Sequence, residues 1–420
     1  MNRLEKYIYD YIKFHPSLKM KVRNLYMDLM DLIPDYPSRF EGDLIVKENY
    51  FFGFHDHTPF SKDDQYILSN KLEIPLRMPK ASDPLTVGYW DNSYTNYFDV
   101  GKSYAWNYHK GCRLQWVSLK DNRFIFNTAN NNKLCSKIVS ASNQSFEIID
   151  YPIDSISPNG LLGSSFSYER LEHFMPGYGY HYSDNSFIEK KNPSKTGIFI
   201  VNLNENRKYL ICSIEQLVRL ENTKSMTEGR HYVTHSLFSP DSKEIAFLHR
   251  WVNSDDVSKR NSRLIVCNID GTNIRVAPTN GMVSHFVWDK NNGILAYCRI
   301  NDVDGHYIFK DSSLKNYKPI AVETLNSDGH QHFIPGTRLF VTDTYPNQRR
   351  YAKLFIVDID TQQVRQIADI KSYKKFQTRT IYRHWGCDLH PRVNFKGDTI
   401  CFDSVHTGKR SLCLLKIKHS

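Results

Sequence analysis

No stretch of this 420-residue chain approaches the ~20 consecutive apolar residues that a membrane-spanning helix needs. The segment Met1 to Ile12 also lacks the uninterrupted apolar core of a signal peptide, so the cytoplasm is the expected location, with peripheral membrane attachment left open. The eight cysteines (112, 135, 212, 267, 298, 387, 401 and 413) form no C-x-x-C pair, which argues against a zinc knuckle. Several sit inside apolar strand-like runs, as at Leu264–Cys267, Ile400–Phe402 and Leu412–Leu415. They read as small buried hydrophobes in a reducing compartment. There is no dense Lys/Arg run with interleaved aromatics and no nucleic-acid motif. The formal charge of +10 therefore points to a surface surplus, an anionic ligand or an acidic membrane surface rather than to nucleic acid. A Gly-rich phosphate loop, a G-x-S-x-G elbow and a DxD-like site in convincing context are all missing. That argues against a kinase, a typical serine hydrolase and a standard glycosyltransferase.

What the chain does contain is a repeat. Seven times a strand-like run, a tight polar turn and a second strand-like run recur, starting near residues 55, 113, 155, 235, 285, 330 and 390. The clearest copy runs from His235 through Ser239-Pro240-Asp241-Ser242-Lys243 to Arg250. Repeats of this length built from short strands imply a seven-bladed β-propeller, an all-β fold; six or eight blades are the alternative counts. An aromatic fraction of 13% suits such sheets. Spacing is uneven: 80 residues separate the starts at 155 and 235, with a Tyr-, Gly-, Asn- and Ser-rich stretch from Tyr168 to Lys195 as a long insertion. The last repeat offers only three strands, and Asp43–Lys47 is placed to supply its missing outer strand, closing the ring and removing an open edge.

Residues 1–40 differ from the propeller of 41–420. Leu4, Ile8, Ile12, Leu18, Val22, Leu25, Leu29 and Leu32 recur at helical spacing, broken near Pro16, among Arg3, Lys6, Lys13, Lys19, Lys21 and Arg23. This predicts a basic amphipathic helical extension. It would pack on the propeller, lie on an anionic membrane or dock a protein partner.

In a propeller the residue that starts strand one and the residue that ends strand two of each blade share one face near the axis. The starters are His55 and His57, Arg113, His235, His285, His330 and His332, and His390; the enders include Tyr168, Arg170, His249, Arg250, Arg299, Asp343, Tyr345 and Asp403. His384 belongs to the approach into the last blade. Three or four imidazoles from neighbouring blades suit a divalent ion such as Mn²⁺, Fe²⁺ or Zn²⁺, with His285, His330, His332 and His390 as the candidate ligands. On an extended segment, His330 and His332 at i and i+2 would point the same way.

With its near-complete Ser-Pro-Asp-x-Lys hairpin the chain resembles TolB-type propellers. Combined with the histidine ring, it resembles the oligogalacturonate lyases and related seven-bladed polysaccharide lyases over about residues 50–415. The likeness implies a polysaccharide lyase in which His235 is the base, and His285, His330 and His332 hold manganese. Ser242 departs from the turn glycine of that pattern, and the helical extension is foreign to it. The chemistry implied is β-elimination on a uronate-containing glycan. A base of near-neutral pKa takes the proton beside the carboxylate, a metal or arginine neutralises that carboxylate, and an acid meets the leaving oxygen. Arg170, Arg250 and Arg299 are candidates for the carboxylate, and Tyr345 or Tyr168 for the proton donor. His55, His57, Arg113, Arg299 and His384 are candidates for binding substrate, with Trp116, Trp251 and Trp385 as sugar platforms. The expected partner is an acidic oligo- or polysaccharide in a bacterial setting. The alternative is a non-catalytic propeller that binds a saccharide or protein in surface-polysaccharide (capsule or O-antigen) assembly; a propeller hydrolase with paired carboxylates is a third.

Overall fold

A computed structural model describes residues 16–117, 122–142, 144–253, 257, 259–380 and 383–417. The described strands form seven antiparallel sheets, six of four strands and one of five. The inner hairpins begin at Tyr50, Gln115, Ser155, Arg230, Val283, His332 and Arg392, so the seven repeats are seven blades. Blade 4 is the most regular, with strands Arg230–Phe238, Glu244–Val252, Arg260–Asn268 and Arg275–Val276. In other blades the innermost strand shrinks to two paired residues, as at His332–Phe333 and Arg392–Val393.

One turn chemistry makes these hairpins. Ser239 Oγ donates to Asp241 Oδ1 (2.6 Å), and the Glu244 amide donates back to Ser239 Oγ (2.9 Å). The same locks join Ser61 to Asp63 and Ser157 to Asn159. The residue after the Asp or Asn takes a left-handed backbone: Asp64 at φ 55°, Gly160 at 74°, Ser242 at 63° and Asn292 at 59°. Ser242 thus occupies the position where glycine is cheapest, and a short polar side chain in the turn is the tolerated substitute.

Each blade is packed on both faces, so strand interiors lose the in–out alternation of a half-exposed sheet. Ile245, Ala246, Phe247 and Leu248 are consecutive and all fully buried. All eight cysteines are free and buried, placed as apolar filling.

The ring is tied by the N-terminal strands. Asp43–Glu48 pairs with Ser411–Lys416 as the outer strand of blade 7, and Arg39–Phe40 adds a fifth strand to blade 6. Ahead of them lies a helix, Pro16–Met30. Its anchoring is acidic rather than basic. Arg350, a nearly buried side chain, donates to Asp28 (2.9 Å) and Asp31 (2.8 Å), and Arg379 grips Asp28 with both terminal nitrogens (2.8 and 3.1 Å). Met27 is buried below, while Leu18, Leu25, Leu29 and Leu32 face outward. Leu4, Ile8 and Ile12, with Arg3, Lys6 and Lys13, lie outside the described residues. Among the described residues no helix is long and apolar enough to cross a membrane.

Candidate functional site

The first strands deliver histidines to the axis by breaking their own regularity. His235 sits at φ 52° where strand pairing slips between Thr234 and Ser236, and His390 at φ 46° and Arg113 at φ 55° hold equivalent places in their blades. Blade 5 slips at the matching point, between Val283 and His285. A bulge re-aims a side chain that would otherwise follow the pleat, and a non-glycine residue held left-handed is tolerated where surrounding structure fixes it. The outcome is a cluster of five imidazoles around Phe54. Its ring lies 4.6 Å from His55, 5.0 Å from His235, 6.0 Å from His285, 6.2 Å from His330 and 5.1 Å from His390. His330 is 4.2 Å from both His285 and His390.

Carboxylates from neighbouring segments orient these rings. Asp343 accepts from His330 Nδ1 (2.8 Å) and from the His330 and His390 amides (2.7 and 3.0 Å). Asp328 accepts from His285 Nδ1 (3.1 Å) and Ser284 (2.6 Å). Fixing Nδ1 as the donor leaves Nε2 of each ring with a lone pair. Among the described residues His330, Asp388 and His390 form a group whose ligand atoms lie within 4.8 Å of one another. Two imidazoles and a carboxylate, one imidazole backed by a second carboxylate, fit a borderline divalent cation such as Mn²⁺, Fe²⁺ or Zn²⁺. Nearby buried atoms without a hydrogen-bond partner, His55 Nε2, Gln331 Oε1 and both ring nitrogens of His235, add donor capacity that the protein itself does not use.

Electrostatics divide the rings. Burial holds His55, His235 and His390 well below the usual histidine range, so they are neutral imidazoles. Burial opposes charge on His330 as well, but Asp343 outweighs it and raises that pKa. Asp388 stays ionised: burial pushes it up, yet His109, at 3.4 Å, and the other histidines hold it well below the carboxylate range. His109 Nε2 in turn meets His384 Nδ1 at 2.7 Å, and Tyr178 stacks on His109 at 4.6 Å.

A two-part cleft opens over this cluster. The inner cavity, about 320 Å³, holds His235, His285, Arg250, Asp328 and Lys110. The outer one, about 260 Å³, holds His109, His384 and Asp388, with Met20, Arg23 and Met27 of the helix on its wall. Tyr178, Arg260 and Tyr345 belong to both. Of the residues singled out in the sequence, His235, His285, Arg250, Tyr345 and His384 therefore line the cleft, and His55, His330 and His390 form the histidine cluster beside it.

Others go elsewhere. His332 and His57 line a separate cavity further down the channel, with Asp56, Leu237 and Val287. The expectation that His330 and His332 point together fails because residue 330 precedes the short strand His332–Phe333, so no pleat relates them. His332 Nδ1 instead donates to the His55 carbonyl (3.0 Å). Arg113 is buried against Asp56 (3.0 Å from each nitrogen to each oxygen) and His57. Arg170 lies not at a strand end but in the short helix Tyr168–Phe174, where it donates to the carbonyls of His231, Ser186, Phe187, Lys190 and Lys191, bracing the blade 3 insertion. Arg299 pairs with Asp304 (2.6 Å) within blade 5. Tyr168 is buried with its hydroxyl 3.2 Å from Asp154. Trp116 and Trp251 are buried among their blades, and Trp385 is hydrogen-bonded to Lys375.

Sequence reasoning missed Asp328, Asp388, His109, Lys110, Tyr178, Arg260 and the carboxylate clamp of Asp154, which accepts from the Ser236 amide (2.8 Å). A signal existed for Asp388, two residues ahead of the starter His390, and for Lys110, three ahead of Arg113. Tyr178 comes from the long insertion, whose path no repeat predicts.

No family model matches the chain. Protein NAM8 of Saccharomyces cerevisiae is 24% identical over 289 residues, 66% of this chain. The chain spans about half (51%) of that protein's length, and a match at this level shows no family. Among solved structures, an oligogalacturonate lyase in complex with manganese superposes with a TM-score of 0.62 at 13% identity, over 90% of this chain and 99% of that one. An oligogalacturonate lyase from Vibrio parahaemolyticus gives 0.57 at 11% identity, over 90% and 99%. At such identities the likeness establishes the fold: the chain is a seven-bladed propeller of the kind those lyases adopt.

Proposed function

We propose that the protein is a carbohydrate-active lyase, cleaving an acidic, uronate-containing oligo- or polysaccharide by β-elimination in the two-part cleft. A divalent cation, manganese by preference, would be held by His330, Asp388 and His390. The observation that carries the reading is this cation-ready group beside a cavity that also contains a neutral imidazole with no hydrogen bond, His235, whose Nε2 lies 3.9 Å from Asp56, and a guanidinium without a bonded carboxylate, Arg250. When bound, the cation supplies charge neutralisation at the uronate carboxylate, which makes the neighbouring C–H more acidic.

The chain's own residues supply the rest. Arg250 donates to the Ser284 carbonyl (3.1 Å) and has a buried Nε with no partner, so it can meet one carboxylate oxygen. His235, neutral because it is buried, accepts the proton from the carbon beside the carboxylate; the new C=C forms as the bond to the 4-oxygen breaks. Tyr345, whose pKa burial and then Asp328 and Asp388 raise well above the ordinary phenol value, remains protonated and donates to the departing oxygen.

Turnover is measured on manganese-loaded protein, purified without a tag, with galacturonate, glucuronate and mannuronate oligomers, following absorbance of the newly unsaturated uronate. Appearance of that product, abolished by His235→Ala, supports the reading. Binding without any unsaturated product across the panel would replace it with a non-catalytic saccharide-binding propeller.

A further inference from the structure

The helix Pro16–Met30 is more than a brace. Arg23 lies on the same side of it as Met20 and Met27, three and four residues away, and all three line the outer cavity. The surrounding arginines are saturated. Arg350 is bonded to Asp28, Asp31 and Gln377, Arg379 to Asp28, and Arg410 to the carbonyls of Tyr108, Trp385 and Gly386. Arg23 and Arg260 are different: among the described residues neither side chain makes a hydrogen bond or ion pair, and Arg260 sits where the two cavities meet. Arg250, further in, meets only Met175 Sδ and two backbone carbonyls. Three guanidiniums thus line one cleft with no carboxylate bonded to any of them, spread from the axis out to the helix, although Asp388 lies on the outer wall and attracts Arg23 and Asp328 lies on the inner one. Three like charges left unpaired along a groove are a field for a ligand that brings several negative charges of its own.

We propose that the helix is a wall of the substrate cleft and that Arg23 and Arg260 form a second anion subsite. It takes the acidic group of a sugar unit next to the one whose carboxylate lies against Arg250. The inference rests on the reading that the cleft binds an acidic saccharide, and it adds that the preferred ligand carries acidic groups on neighbouring units. Arg23 and Arg260 are specificity residues on this account, not catalytic ones.

The test is equilibrium binding of galacturonic acid, digalacturonate and trigalacturonate to manganese-loaded protein in a His235→Ala background, which suppresses turnover. The expected result is a rise in affinity with chain length that Arg23→Gln and Arg260→Gln each cut by about tenfold, the size of one charge-assisted contact, leaving the affinity for galacturonic acid unchanged. Arg23→Lys should keep part of the gain, since a point charge replaces a planar fork. Undocking the helix with Asp28→Asn/Asp31→Asn should reproduce the Arg23→Gln loss. Equal affinity for all three ligands, or variants that lose affinity for the monosaccharide as much as for the longer chains, would overturn the subsite while leaving the uronate reading in place. Binding of none of the three would overturn both.

Discussion

The channel has two histidine-rich regions, and they are built for opposite ends. Further down, His57 accepts from Arg113 (3.0 Å), which also holds Asp56, and His332 Nδ1 donates to the His55 carbonyl (3.0 Å). Every ring there has a bond to the protein. At the mouth, His330 and His285 are tied by one nitrogen only, His235 by none, and Asp388 faces two imidazoles with charge to spare. Residue type does not separate the two regions; unspent bonding capacity does. A buried polar group left unsatisfied costs on the order of 1–3 kcal/mol, so several of them kept in one place are a reason to expect a ligand.

The strongest way to break the comparison is to remove ligands from each region and measure bound metal by elemental analysis. His330→Ala/His390→Ala should lose a stoichiometric divalent cation, with affinity falling by about a hundredfold or more. His57→Ala and His332→Ala should keep it; loss of metal from His332→Ala would show that the two regions are one site. Next in size, His235→Ala should lower kcat by about 10²–10⁴ on a uronate oligomer, the usual range for a general base. Asp343→Asn should weaken metal binding by roughly ten- to a hundredfold without touching the metal, since it orients His330.

Stability predictions sharpen the contrast between spent and unspent groups. Arg350→Ala leaves Asp28 and Asp31 without their buried partner and should cost about 3 kcal/mol, seen as a lowered denaturation midpoint. Acid should act through buried histidines away from the cleft, His231, which is bonded at both nitrogens, and His306, which is buried without a hydrogen-bond partner. Burial lowers His231 and His306 from 6.5 to about 4. The folded state therefore holds them neutral, the unfolded chain binds more protons below 6.5, and the stabilisation present above that pH is lost as pH falls toward 4. Each site contributes at most on the order of 3 kcal/mol. The Tm should fall across that window, and His306→Asn should flatten the fall slightly. An unchanged Tm from pH 7 to 4.5 would mean that these rings are not held neutral.

The propeller was legible because its signals are local. The Ser-x-Asp turn closes on itself within five residues, and an apolar run such as Ile245–Leu248 needs only a sheet on either side. The starter histidines were legible for the same reason, as a fixed offset from that turn. What failed needed the third dimension. Arg170 was counted as a strand end but is drawn into a helix by Ser167, whose Oγ caps it (2.9 Å to the Arg170 amide). His332 was paired with His330 by a period of two that only a hydrogen-bonded strand enforces. Asp328, Tyr178 and His109 come from connecting segments, and they meet only because the blades carry them to one face. Arg23 was read as part of a basic surface stripe, while the docking of its helix is set by Asp28 and Asp31.

The pairing of Asp43–Glu48 with Ser411–Lys416 also sets an order of events in synthesis. The strand that seals the ring is made long before its partner. At about 5–20 residues per second, the early strand leaves the ribosome tens of seconds before the ring can shut. Throughout that interval it carries open hydrogen-bonding edges, and so does the growing stack of blades. The newborn chain is therefore most prone to joining a second nascent copy through exchanged strands just before completion, and its yield in a cell should follow the speed of translation more closely than the stability of the finished ring.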